Sequence, residues 1–150
     1  MAKILVSACL LGFPVRYDGQ SKAVEKIVEL AKDNILIPVC PETLGGLPTP
    51  RIKSEIKDNL VMRLDGKDVT DNYLRGANIT LEIAKLNKVD YCILKSKSPS
   101  CGKGLIYDGN FNGTLIDGDG ITCKLLKENG FVVYSEEDII NRLWKIVLKN

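Results

Sequence analysis

Five cysteines and no histidine stand in a chain of 150 residues. Without imidazole, neither a Ser-His-Asp nor a Cys-His nucleophile can be assembled, and zinc sites that need His are excluded. Chemistry falls to thiols, carboxylates, hydroxyls, Lys, Arg and the backbone. The odd cysteine count, and a start (Met1 to Ser7) that reads as a strand rather than a signal peptide, predict a cytoplasmic protein with free thiols. Thiolates suit zinc, Cu(I) or iron–sulfur clusters. Structural zinc asks for a fourth ligand and for close pairs such as C-x-x-C, which are missing here. Cys9, Cys40 and Cys101 together suit a [4Fe-4S] cluster with one iron left open to a substrate atom. A competing pattern also begins at Cys9, because low-molecular-weight phosphatases and arsenate reductases carry Cys-x5-Arg after their first strand. Here Arg16 follows at Cys-x6-Arg, Pro14 removes one loop N–H donor, and Cys40 and Cys101 go unused.

The elements that must position these thiols follow from periodicity. Short apolar runs at residues 4–6, 35–39, 91–94 and 131–134 read as buried parallel strands. Helical spacing separates them. Val24, Ile27, Val28 and Ala31 predict a helix within residues 21–32. Leu74, Ala77, Leu81 and Ala84 predict one over about 71–86, with Thr70 as N-cap. A third helix is expected from about 118 to 129, ended by Gly130. A fourth starts at a capping box on Ser135, with Ile139, Ile140, Leu143, Trp144 and Val147 as its buried stripe. Residues 52–64 break the alternation and read as a small hairpin turning at Asp58-Asn59. The expectation is one α/β domain over residues 1–150, three-layered and Rossmann-like or flavodoxin-like, with a short parallel sheet and an inserted hairpin. Cys9 then follows the first strand, Cys40 ends the second and Cys101 lies beyond the third. Open parallel sheets bind ligands in the crevice at such carboxyl ends. Cys92, inside a strand, and Cys123, inside a helix, read as small buried hydrophobes. A net charge of +2, 45% hydrophobic and 27% charged residues give no case for a nucleic-acid polymer or a membrane as partner, and leave the oligomeric state open.

Seven ordered motifs then resemble a known family. Val6-Ser-Ala-Cys-Leu-Leu-Gly12, Arg16-Tyr-Asp-Gly19, Cys40-Pro-Glu42, Gly45 to Arg51, Gly66-Lys-Asp-Val-Thr70, Ser98-Pro-Ser-Cys-Gly102 and Tyr107-Asp-Gly109 are similar to those of the thiouracil desulfidase family, long known as a domain of unknown function. The resemblance runs over nearly the whole chain. It implies a small α/β fold and a [4Fe-4S] cluster on Cys9, Cys40 and Cys101. It further implies that the open iron takes sulfur from a thiolated nucleobase or related small thio-compound without net redox change.

Motif position and chemistry assign further roles. Glu42, two residues from a ligand, is the candidate general base or proton donor. Ser98 and Ser100 would orient water or a substrate oxygen, or brace the turn at Pro99. Asp18 and Asp108 would meet a polar base edge or close the two Tyr-Asp-Gly turns. Arg16, Arg51 and Lys95 would balance negative charge, and Tyr17 would stack on a planar base. The alternative functions are a non-catalytic sulfur carrier or redox module, and the phosphatase-like enzyme.

Overall fold

The computed structural model describes residues 1–143. Its centre is a parallel sheet of β1 (Lys3–Ser7), β2 (Ile35–Val39), β5 (Tyr91–Leu94) and β8 (Val133–Ser135), in the order β2-β1-β5-β8. β1 aligns Ile4 with both Leu36 and Tyr91, and β5 aligns Cys92 with Val133. Pro38, which has no N–H to give, falls in β2 at the sheet edge, where the ladder tolerates it.

Strand alternation sorts the core into two layers. Leu5, Cys92, Leu94 and Val133 face Leu81 and Ala84 of α3 (Thr70–Asn87) and Cys123 and Leu126 of α4 (Ile121–Glu128). Ile4, Val6 and Ile93 face Ile27, Leu30 and Ile139 on the other side. The expected three-layer α/β arrangement is therefore present.

Several local expectations change. The helix expected within 21–32 shrinks to α1 (Glu25–Val28), which runs straight into a 3-10 turn, Glu29–Lys32. Its start is lost because Lys22 and Val24 donate their N–H groups to Cys9 and Leu10, tying residues 22–24 to the loop after β1. The tighter winding brings Ile27 and Leu30 inward at three-residue spacing, while Val28 and Ala31 are exposed. Thr70 is the first helical residue of α3 rather than its N-cap. Asp68 accepts the Thr70 N–H at 2.9 Å, and the Thr70 hydroxyl accepts from the Val61 N–H at 2.8 Å. Tyr73, not the exposed Leu74, begins the buried stripe of α3. α4 starts at Ile121, later than expected. The capping box is present on α5 (Glu136–Asp138), with Ser135 accepting from the Asp138 N–H, and the chain continues helically through Leu143. Ile139 is buried and Ile140 exposed; Trp144 and Val147 lie outside the described residues.

Two hairpins and one short helix surround the carboxyl ends of the strands. β3 (Ser54–Lys57) and β4 (Leu60–Arg63) form the expected hairpin, with Asp58 and Asn59 both at positive φ, as a two-residue turn of this hand requires. β6 (Leu105–Tyr107) pairs with β7 (Leu115–Asp117) in a second hairpin that the apolar pattern did not signal. α2 (Pro41–Leu44) lies directly against α3 through two glycines. A Cβ on Gly45 would fall 2.0 Å from the Asn72 carbonyl oxygen, and one on Gly76 1.9 Å from that of Pro41.

Candidate functional site

The loops leaving β1, β2 and β5 share one cleft of about 550 Å³. Strand order explains the convergence. The chain steps from β1 to β2 on one side and crosses back to β5 on the other, so loops diverge around β1 and open a crevice. Cys9, on a 3-10 turn directly after β1, lines it. So do Cys40, just before α2, and Cys101, in the turn after β5.

The three thiols interact electrostatically with one another, and hydroxyls donate to two of them, Cys40 and Cys101. Ser7 donates to the Cys101 sulfur at 3.3 Å and Ser100 at 3.6 Å, while Thr43 donates to that of Cys40 at 3.2 Å. Burial pushes the Cys9 thiol up to about 11, opposed chiefly by the Lys95 ammonium. Burial pushes Cys101 up to about 12, with the Ser7 and Ser100 hydroxyls pulling it back. A bare Cys9 is thus a protonated thiol near neutrality, unlike the low-pKa nucleophile of a cysteine phosphatase.

Beside the thiols lies a buried ion pair. Arg51 Nε donates to Glu42 Oε1 at 2.9 Å, and the other Arg51 nitrogens hold the Pro48 and Val15 carbonyls and the Thr49 hydroxyl. The second oxygen of Glu42 accepts from Ser100 at 2.8 Å. Ser100 lies 3.1 Å from the Ser98 hydroxyl, which accepts the Cys101 N–H at 2.7 Å. Cys101, Ser98, Ser100, Glu42 and Arg51 therefore form one connected network on the cleft wall. Tyr73 adds to it from α3: burial, reinforced by the Glu42 carboxylate, drives its phenol pKa far upward.

Arg16 and Tyr17 also line the cleft, with the guanidinium 5.7 Å from the Tyr17 ring centroid. Asp18 does not line it. Its carboxylate accepts the Gln20 N–H at 3.0 Å and faces Arg16, so it closes its own turn. Asp108 does the same for the Asn110 N–H. The two Tyr-Asp-Gly motifs do enter one cleft, through Tyr17 and Tyr107. Cys92 and Cys123 stay in the core beneath the sheet, both pushed up to about 12 by burial.

Sequence reading missed Ser7, Thr43, Tyr73, Glu55 and Glu136. Glu136 is buried and accepts from the Ser96 N–H, the Ser96 hydroxyl and Lys95 Nζ, which fixes Lys95 near the cleft. A tyrosine on the apolar stripe of α3 was the available signal for Tyr73. Thr43 lies three residues from its partner Cys40, but Ser7, Glu55 and Glu136 meet partners tens of residues away, which nothing local marked.

Fold and site together define an α/β protein whose strand-end cleft presents three thiols beside a buried carboxylate. Residues 4–138 match the 2-thiouracil desulfurase family, and the chain belongs to it, a family of enzymes. It is similar to the uncharacterized protein YbbK of Bacillus subtilis (strain 168), 44% identical over 146 residues, with 91% of this chain and 97% of that one covered. It is also similar to the solved [4Fe-4S]-dependent thiouracil desulfidase TudS, with a TM-score of 0.91 and 41% identity over 99% of each chain.

Proposed function

We propose that this protein desulfurates a thionated nucleobase or a related small thio-compound, using a [4Fe-4S] cluster held by Cys9, Cys40 and Cys101. The observation that carries this is the convergence of three thiols from three strand ends on one cleft, beside the Glu42–Arg51 pair. The donor set fits the group. Three thiolates leave one iron of a four-iron cluster open, and hydroxyl donors to sulfur are the outer contacts such ligands take. Lys95 and Arg16 bring positive charge toward Cys9. The similarity to TudS supports the same assignment.

When bound, the cluster supplies a Lewis-acidic iron that draws on the thione sulfur. The chain's own residues supply the rest. Replacing C=S by C=O consumes one water and releases sulfide, with no change in oxidation state, so a water must be oriented at the carbon and its protons moved. We assign that proton to Glu42, whose carboxylate lines the cleft. Arg51 and Ser100 each hold one of its oxygens, fixing the plane of the carboxylate. The Ser98–Ser100 hydroxyl pair can position the water or the incoming oxygen. The walls around Cys9 and Cys101, both under a tenth exposed, limit access of bulk water.

The test is anaerobic reconstitution with iron and sulfide counts, followed by loss of thione absorbance from 2- or 4-thiouracil. About four irons per chain and release of uracil are expected. An intact cluster without turnover would favour a sulfur carrier or redox module. A colourless protein active on aryl phosphate would overturn the assignment entirely.

A further inference from the structure

The rim of the cleft holds an aromatic side chain that neither the core nor the proposed proton chemistry uses. Phe111 lines the cleft, half-buried, yet packs into none of the three core clusters among the described residues. Its backbone is left-handed, with φ of 55°, a conformation a bulky residue adopts only when the surroundings impose it. The imposing group is visible. Glu55, on β3 of the first hairpin, is 7% exposed, and its Oε1 accepts the N–H of Gly109 at 3.0 Å and that of Phe111 at 3.1 Å. Lys57 Nζ reaches the Asn110 side chain at 2.6 Å. Gly109 permits the approach, since a Cβ there would meet the Lys57 Cβ at 2.5 Å. One hairpin thus straps the tip of the other against the cleft, and the strap sets the Phe111 ring on its wall.

Resting on the desulfuration proposed above, we infer that Phe111 is a specificity-determining residue, the aromatic wall against which the flat ring of the thionated base stacks, and that Glu55 is its positioning residue. The substrate class narrows accordingly. A planar heteroaromatic thione gains from the ring face, whereas a non-aromatic thione of similar polarity does not. Strain held at residue 111 keeps the wall in place before substrate arrives, so little ordering is left to binding.

The experiment uses the full chain and two readouts: calorimetric binding of uracil, the sulfur-free product, and steady-state desulfuration of 2-thiouracil by the anaerobically reconstituted protein. Phe111→Leu keeps bulk without the π face, and Phe111→Gly removes the ring while relieving the positive φ, so at least one variant folds as wild type does. Both should weaken uracil binding about tenfold, in the range of one lost base–aromatic stack, and raise KM similarly with kcat little changed. Phe111→Tyr should restore both. Glu55→Ala should mimic loss of the ring, and Glu55→Gln, whose amide oxygen still accepts the two N–H groups, should rescue it. Unchanged uracil affinity in Phe111→Leu and Phe111→Gly would overturn the wall, as would absence of uracil binding by the wild type. A wild type that binds uracil but leaves 2-thiouracil intact would instead refute the desulfuration and leave the stacking wall standing.

Discussion

Arg51→Met removes the guanidinium that ties α2 and the loop after β1 to its own segment while keeping a comparable apolar stem. In the native protein Arg51 makes hydrogen bonds of 2.9–3.1 Å to Glu42, Pro48, Thr49 and Val15. Its side chain is 7% exposed and that of Glu42 12%, so solvent screens the pair weakly. The variant leaves the Glu42 carboxylate buried without its cation, and breaking such a pair costs about 3–5 kcal/mol. For a chain of 150 residues that is a fall in melting temperature of about 6–20 °C. Circular-dichroism melts and urea titrations of the metal-free chain measure it. Removing both charges, in Glu42→Gln with Arg51→Met, should recover part of the loss, because no unpaired charge then remains. A loss below about 1 kcal/mol, the range of exposed ion pairs, would refute the claim that this pair is desolvated and holds these segments together.

Three further outcomes follow from the same contacts. Cys9→Ala, Cys40→Ala and Cys101→Ala should each abolish stable cluster binding in iron and sulfide counts, while Cys92→Ala and Cys123→Ala should affect only stability; a full cluster in any of the first three would break the ligand assignment. Gly76→Ala should lower the melting temperature although alanine is the better helix former by about 1 kcal/mol, because its Cβ would fall 1.9 Å from the Pro41 carbonyl; a neutral or stabilising effect would show that α2 yields easily. Burial pushes the carboxyls of Asp119 and Asp138 upward, but hydrogen bonds from Gly104 and Lys127 to the first, and from Lys103 and Ser135 to the second, outweigh it and leave both below the ordinary value of 3.8. Their folded pKa values lie below the unfolded ones, so the stability they contribute is complete above about pH 4 and is lost as pH falls further. Melts between about pH 5 and 2 should show that slope, shallower in Asp119→Asn and Asp138→Asn, and equal slopes in all three proteins would contradict it.

Much of the scaffold was legible because it rests on local pattern. The four strands coincide with or overlap short apolar runs whose alternation with helices pointed to a parallel arrangement, although edge strand β2 buries only Val39 and the last strand sits at Val133–Ser135 rather than 131–134. Strand ends then located Cys9, Cys40 and Cys101 around one crevice from topology alone. What stayed hidden depends on long-range partners. Lys22 and Val24 give their N–H groups to the loop after β1, which overrides a helical pattern that looks sufficient by itself. Glu55 and Glu136 look like surface acids until Phe111 and Ser96, 56 and 40 residues away, deliver the N–H groups that bury them. Asp18 erred the other way: its motif suggested a ligand, and the turn beside it took the carboxylate first.

The contact of Gly45 with Gly76 bears on how the protein opens as well as on how it packs. A single helical turn such as α2 has almost no stability of its own. At Gly45 and Gly76 its backbone touches that of α3 directly, so a rotamer change alone does not free α2 there. It must separate from α3 as a body, giving up the hydrogen bond from the Asn72 amide to the Gly45 carbonyl. The two helices therefore belong to one cooperative unit of exchange and unfolding. Glu42, carried on α2, keeps its place through the small local openings that fray the loops around it, and leaves the cleft only when a large part of the fold gives way.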